Sequence, residues 1–101
     1  MTAYMLVSIN MLEDESWRDD YREAVPAIIR RFGGEYHIRS SGAPIVGLEG
    51  DARVPDRVAL ISFPSVEAIT EFMNSEAYKP YREARIASAF TNIIAFEGIQ
   101  G

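Results

Sequence analysis

Residues 57–65, which read Arg-Val-Ala-Leu-Ile-Ser-Phe-Pro-Ser, constrain the fold of this chain more than any other segment. The segment is short and apolar at nearly every position before Pro64, which is typical of a strand buried on both faces. Ser65 is the expected N-cap of a helix that continues to about Asn74. Because a chain of 101 residues has few ways to cover both faces of a sheet, this strand directs the prediction of the architecture.

Three other segments are predicted to be strands: residues 4–11, 35–40 and 92–97. In the first, alternate positions form a wholly apolar face that should meet the helices, consisting of Met5, Val7, Ile9 and Met11. In the second, Tyr36 and Ile38 are expected on one face, and His37 and Arg39 on the other. Residues 45–49 are a further extended segment, either a short separate strand or a continuation of the second one. Residues 50–56 are predicted to be a mobile loop.

The first helix is predicted from a stripe of apolar residues at spacings of three and four, Trp17, Tyr21, Val25, Ile28 and Phe32. Asp14 is its expected N-cap, and Gly33-Gly34 its expected end. We interpret the aromatic residues of this stripe as core. A second helical piece, after the one that follows Ser65, spans residues 78–89 and carries Tyr81, Ala84 and Ala87 or Ser88 on one side.

The order of these elements is strand, helix, strand, strand, helix pair, strand. This order predicts an α+β fold of the ferredoxin-like, split βαβ type: an antiparallel sheet with helices on one face, as a single domain over residues 1–101. The other face would leave an apolar patch of several hundred Å² exposed. The simplest cover is the same sheet of a second copy across a two-fold axis, so we predict a homodimer packed sheet to sheet.

Composition excludes several classes of function. The chain has no cysteine and one histidine, so we expect no metal site, and no motif indicates a cofactor. A net charge of −5 without a basic run argues against nucleic-acid binding. No segment approaches the roughly 20 apolar residues that span a membrane. The first residues lack the basic region of a signal peptide, so the expected location is the cytoplasm.

The chain also resembles a known family, the small bacterial proteins grouped as domain of unknown function 1330, within the dimeric α/β-barrel superfamily. The matching stretches are residues 14–22, 24–26, 32–36, 48–51, 57–65, 75–78, Arg85 and 96–98. The resemblance implies a ferredoxin-like protomer and a dimer whose two sheets form a barrel. It also implies a superfamily with cofactor-free monooxygenases and isomerases among its members. His37 stands where this family often has an aliphatic residue.

His37 is the only side chain here whose ordinary pKa lies near neutrality. If its strand face looks into the barrel, His37 would act as a general base while Arg39 holds an anionic or enolate-like substrate. The alternative is a histidine near the sheet edge that faces solvent or forms a structural hydrogen bond.

Other candidate ligand-binding residues are Ser8, Arg57, Tyr78 and Arg85. Arginine binds carboxylates through two parallel hydrogen bonds, but it also pairs with acids of its own chain such as Glu49, Glu97 or those of the first helix. Ser8 would supply a polar point in an apolar cavity or be a satisfied core residue. The Tyr78 ring is expected to pack, with its hydroxyl on a carbonyl or carboxylate.

Two functions remain open from the sequence. The first is an enzyme or binder that handles a small, anionic molecule in a cavity between sheet and helices, by metal-free acid–base chemistry of the isomerase or monooxygenase type. The second is a non-catalytic dimeric module for sensing or scaffolding. We favour the first for binding, with the second as the alternative, and the sequence assigns no catalysis.

Overall fold

A computed structural model describes residues 1–12, 14–51 and 53–99. Seven elements follow one another: β1 (Ala3–Met11), α1 (Trp17–Arg31), β2 (Glu35–Arg39), β3 (Arg57–Phe63), α2 (Val66–Met73), α3 (Lys79–Ser88) and β4 (Ala89–Glu97). The strands form one antiparallel sheet in the order β2-β3-β1-β4. The predicted ferredoxin-like α+β fold is confirmed. Among the described residues, no helix is both long and apolar enough to cross a membrane.

The core lies between the three helices and one face of the sheet. Alternate residues of the central strands β1 and β3 point towards the helices. These residues are buried: Ala3, Met5, Val7, Ile61 and Phe63. The buried helix residues that meet them are Val25, Ile28, Ile29, Ile69 and Phe72. The Phe72 ring is fully buried and stacks on Tyr78, with ring centroids 4.3 Å apart. We call the face of the sheet that the helices cover the helix-side face.

The opposite face, which we call the free face, is apolar and uncovered in the single chain. Strand register places one residue from each strand in a continuous row across the sheet: Ile38, Leu60, Leu6 and Ile94. Ile38 and Ile94 are 66% and 57% exposed. The expectation that β3 is buried on both faces therefore holds within one chain only for the helix-side face.

Strand β2 contains a β-bulge that changes the predicted faces. Tyr36 pairs with Ile61 and Ile38 pairs with the next residue, Leu60, so His37 is an extra residue in the ladder. Alternation is therefore interrupted at His37, and Arg39 returns to the same face as Tyr36. The prediction that His37 and Arg39 share a face is wrong. It assumed an unbroken period of two, which a bulge does not keep.

The connection between β2 and β3 contains no strand or helix among its described residues. The extended segment predicted at residues 45–49 is thus not a strand. Val46 and Leu48 of this segment are exposed, because no neighbouring strand covers them. Ala52, in the loop predicted at residues 50–56, lies outside the described residues.

The helix ends follow the sequence signals only in part. Ser65 caps α2 as predicted, since its Oγ accepts from the Ala68 N–H at 3.0 Å. The N-cap of α1 is Ser16 rather than Asp14, whose Oδ1 instead accepts from the Ser16 N–H at 2.9 Å. Glu13, which precedes Asp14, lies outside the described residues. Gly33 ends α1 with a positive φ of 82°, which is cheap only for glycine.

Helix α3 buries an arginine, and of the residues on the side noted in the sequence it packs Tyr81 against the core. Ala84 and Ala87 are exposed, and the buried residue of the helix is Arg85, 3% exposed. Its N-cap, Tyr78, is buried in the core. This helix turns the stem of an arginine, rather than its alanines, toward the protein interior.

Candidate functional site

A cavity of about 520 Å³ lies between the helix-side face of the sheet and α1. Its apolar lining comes mostly from the strands and consists of Met5, Val7, Ile9, Met11, Val58, Ala59, Ile61 and Ile93. Helix α1 contributes Trp17, Arg18, Tyr21, Arg22, Pro26 and Ile29. The remaining lining residues are Tyr36, Arg39, Ser40, Ser41, Gly42, Arg57 and Tyr78. The predicted cavity between sheet and helices is therefore present.

Four arginines line this cavity, and none of the described lining residues is Asp or Glu. Arg18 and Arg22 lie one turn apart on α1, while Arg39 ends β2 and Arg57 begins the neighbouring antiparallel strand. Arg18 pairs with Glu15 at 3.1 Å. Arg57 donates from Nη1 to the Asp56 carbonyl at 2.8 Å. Within a chain of net charge −5, the cavity is thus a locally positive region.

Four aromatic side chains line the same cavity: Trp17, Tyr21, Tyr36 and Tyr78. The hydroxyls of Tyr21 and Tyr78 are hydrogen-bonded to each other at 2.5 Å. Burial, and then the neighbouring Tyr78, raise the pKa of Tyr21 far above its ordinary value, against a smaller opposite effect of Arg85. Burial likewise raises the pKa of Tyr36. Tyr21 is therefore a neutral hydrogen-bonding group at physiological pH.

Three of the predicted site residues come together in the cavity: Arg39, Arg57 and Tyr78. They come from the end of β2, the start of β3 and the N-terminus of α3. Arg39 lies over the Tyr36 ring, with its Cζ 5.0 Å from the ring centroid. This cation–π contact orients the guanidinium while leaving its N–H groups available to a ligand.

His37 and Ser8 lie elsewhere. The His37 ring packs edge-on against Tyr4, with centroids 5.6 Å apart, and is exposed. Ser8 pairs with Val58 and Asn92 across the sheet, and neither Ser8 nor His37 lines the cavity. The two residues therefore cannot act with Arg39 inside this cavity of a single chain.

Arg85 is buried behind the aromatic residues rather than in the cavity lining. Its Nε has no hydrogen-bond partner, and its charge acts on the Tyr21 phenol. The alternative interpretation, an ion pair with an acid of this chain, does not apply to Arg39, Arg57 or Arg85 within residues 1–12, 14–51 and 53–99. A buried guanidinium without a counter-ion is costly, so its neighbourhood favours groups with negative character.

Several residues that line the cavity were not predicted to belong to a site. Trp17 and Tyr21 were assigned to the core, but they also line the cavity. Arg18 and Arg22 lie off the apolar stripe of α1 in the sequence and were not among the predicted site residues. One signal could have identified them: each arginine directly follows one of these aromatics, so both pairs share one side of α1 at a spacing of four.

The donors of this lining determine which ligands it suits. Arginine, tyrosine, tryptophan and serine side chains all supply N–H or O–H donors, and the strands supply apolar surface. No cluster of three or more His, Cys, Asp or Glu that could hold a metal ion occurs in the described part of the chain. The arrangement suits a small molecule with an apolar body and a negatively charged or electron-rich group.

The fold and this cavity define a ferredoxin-like α+β protein with a pocket between its sheet and first helix. The chain belongs to the family described as domain of unknown function (DUF1330), whose family model matches residues 2–99. A comparison with curated proteins gave no match.

Solved structures show the same fold at low sequence identity. A protein of unknown function from Rhodopseudomonas palustris has 17% identity and a TM-score of 0.81, over 99% of this chain and 84% of that one. SnoaB, a cofactor-independent oxygenase from Streptomyces nogalater, has 11% identity and a TM-score of 0.68, over 99% and 95%. A dimeric ferredoxin-like protein of unknown function from Jannaschia sp. CCS1 has 16% identity and a TM-score of 0.61, over 97% and 100%.

Proposed function

We propose that this protein binds a small anionic molecule with an apolar body in the cavity between α1 and the sheet. The observation that supports the proposal is the charge of the lining: four arginines and, among its described residues, no carboxylate. An excess of arginine over acid in the lining favours an anionic ligand, because arginine binds carboxylates through two parallel hydrogen bonds.

The arginines differ in how free they are to bind. Arg18 already has a partner in Glu15, and Arg57 donates to a backbone carbonyl. Arg39 is held only by the face of Tyr36, which takes none of its N–H groups. Arg39 is therefore the best placed to form two parallel hydrogen bonds with a carboxylate.

The volume and the apolar lining of the cavity indicate the size and polarity of the part of the ligand that carries the carboxylate. A volume of about 520 Å³ falls within the roughly 300–1,000 Å³ of small-molecule sites. Most of the strand residues that line it are aliphatic or methionine side chains, which favour an apolar or aromatic body. The proposed ligand class is accordingly that of aromatic or branched carboxylic acids.

Binding, rather than catalysis by His37, is the activity that we propose. His37 lies on the free face, so it has no access to a molecule held by Arg39. The likeness to SnoaB, at 11% identity, concerns the fold and assigns no oxygenase activity here.

Calorimetric titration with pairs of matched ligands tests the proposal. Each aromatic carboxylate is compared with its primary amide, which has nearly the same shape and no charge. We expect the carboxylate to bind more tightly, and Arg39→Ala to weaken it about tenfold or more, because hydrogen bonds to a charged group contribute about 1.5–3 kcal/mol.

The matched control for this titration is Arg31→Ala. Arg31 is an exposed arginine at the end of α1 that does not line the cavity. Its loss should leave affinity unchanged. Failure of every carboxylate to bind, or equal losses in Arg39→Ala and Arg31→Ala, would contradict the proposal.

We further propose that two copies associate through their free faces, the self-association that the sequence predicted. The row of Ile38, Leu60, Leu6 and Ile94 crosses all four strands, and Phe96 stacks with Tyr4 beside it. A continuous apolar surface of this kind is typical of an interface. The similar fold from Jannaschia sp. CCS1, which is described as dimeric, supports the proposal.

Sedimentation velocity tests this association. Leu6→Glu and Ile94→Glu place a charge in the centre of the row and should convert a dimer into an 11.3 kDa monomer. Ile86→Glu is the matched control, because Ile86 is 52% exposed on α3 and away from the sheet. A monomer of the unaltered protein at micromolar concentration would contradict the proposal.

A further inference from the structure

The paired hydroxyls of Tyr21 and Tyr78 have one more proton than their mutual hydrogen bond uses. Each phenol supplies one O–H donor, and the pair forms one bond at 2.5 Å in which either oxygen accepts. Neither hydroxyl has another hydrogen-bond partner among the described residues. Whichever oxygen donates within the pair, the proton of the other hydroxyl is left over. Both residues line the cavity.

A second donor without a partner belongs to Trp17, which lines the same cavity. Trp17 is 9% exposed, and its indole Nε1 is buried without a hydrogen-bond partner. Its ring packs edge-on against that of Tyr21, with centroids 5.4 Å apart. A buried N–H without an acceptor is costly, and native structures rarely leave one unused.

The surroundings of these donors are positive. The buried guanidinium of Arg85 acts on the Tyr21 phenol, and the described lining residues include no carboxylate that could accept the spare protons. Burial keeps Tyr21 protonated, because it raises the pKa of the phenol. The aromatic part of the cavity therefore offers donors near a positive charge, and none of its described lining residues is a carboxylate.

We infer that Tyr21 and Tyr78, with Trp17 beside them, form a second polar subsite that takes an oxygen acceptor, such as a ketone or enol-type oxygen, on the body of the ligand. The inference rests on the proposed function and narrows its ligand class: an acid with a separate carbonyl-type oxygen. The carboxylate is held by the arginines, and the second oxygen accepts from the tyrosine pair and the indole N–H. The acceptor need not be charged, since both kinds of donor are neutral.

Two acids of the same shape distinguish this subsite from the arginine site. In 4-acetylbenzoate the acetyl oxygen accepts hydrogen bonds, whereas in 4-isopropenylbenzoate a methylene group replaces it. We expect the unaltered protein to bind the ketone about threefold to tenfold more tightly in calorimetry, the range given by one ordinary hydrogen bond. In Tyr21→Phe/Tyr78→Phe, which removes both hydroxyls together, this preference should fall towards equal binding.

Tyr81→Phe is the matched control, since Tyr81 packs against the core without lining the cavity and should keep the preference. A second measurement needs no variant: the ¹³Cζ signals of labelled Tyr21 and Tyr78 should shift with the ketone and not with the alkene.

Each outcome is decisive. Equal binding of the two acids, with Arg39→Ala still weakening both, would overturn the subsite and leave the proposed function intact. A ketone preference as large in the double variant as in the unaltered protein, or unmoved tyrosine signals, would also overturn it. Failure of both acids to bind would overturn the proposed function and this inference together.

Discussion

The guanidinium carbon of Arg39 lies 5.0 Å from the centroid of the Tyr36 ring, although residues three apart in a regular strand point to opposite faces. The bulge at His37 makes this contact possible, because Tyr36 and Ile38 pair with adjacent residues of β3. One extra residue thus turns Arg39 towards the cavity and leaves His37 on the free face, against Tyr4.

The first prediction is that His37 and Arg39, although close in sequence, differ in their effect on ligand affinity. His37→Ala should change carboxylate affinity by less than about twofold, because the histidine lies on the other face of the sheet. Arg39→Lys should lose most of the affinity despite keeping the charge, because lysine lacks the planar fork that binds both carboxylate oxygens. Calorimetry on both variants checks this. A larger loss in His37→Ala than in Arg39→Lys would contradict the assignment of faces.

The second prediction concerns stability and uses the Tyr21–Tyr78 hydrogen bond. Tyr21→Phe leaves the Tyr78 hydroxyl, on a residue 1% exposed, without a partner, and should destabilise the fold by about 1–3 kcal/mol. The double variant with Tyr78→Phe should cost less than the sum of the two single changes, since it leaves neither hydroxyl unpaired. Urea denaturation of the four proteins gives the coupling energy. Strict additivity would show that the bond contributes nothing.

The third prediction follows from the raised pKa of Tyr21, which burial causes. Above about pH 10 an unfolded tyrosine releases a proton that the folded protein retains. The unfolded state then binds fewer protons, so the free energy of unfolding falls as pH rises. The urea midpoint of the unaltered protein should decline between about pH 9.5 and 11.5 more steeply than that of Tyr21→Phe. Parallel declines would show that Tyr21 ionises alike in both states.

The fourth prediction tests the cap of α2. Ser65→Ala removes the oxygen that accepts from the Ala68 N–H and should destabilise the protein by about 1 kcal/mol. Ser65→Asp should restore most of this loss, because aspartate accepts the same bond and its charge suits a helix N-terminus. Thermal unfolding of the three proteins decides it, and equal instability of both variants would argue against the cap.

Much of the fold could be predicted because it depends on local patterns. Alternation within residues 4–11 predicted β1 and its buried face, and the apolar residues of 57–63 predicted β3. Spacings of three and four predicted α1, and the Pro64-Ser65 pair predicted where β3 ends and α2 begins. Such signals are local because strand and helix periods are set by backbone geometry.

The candidate site was less predictable because its parts come from distant positions. Arg39, Arg57 and Tyr78 were chosen for their chemistry, and the structure brings them together. Arg18 and Arg22 lie off the apolar stripe that predicted α1, so the sequence pattern did not select them. Their role depends on which part of the protein lies against that side of α1, and a local sequence pattern does not indicate this.

The sequence by itself determined the order of the strands and helices, the buried face of β1 and the existence of an apolar face without a cover. The tertiary structure alone decided that β2 bulges at His37, that residues 45–49 stay outside the sheet, and that Arg85 is buried. Each of these depends on a pairing partner: β3 sets the register of β2, and the helices packed on the sheet determine what α3 buries. Periodicity describes one segment, whereas register and packing are properties of two.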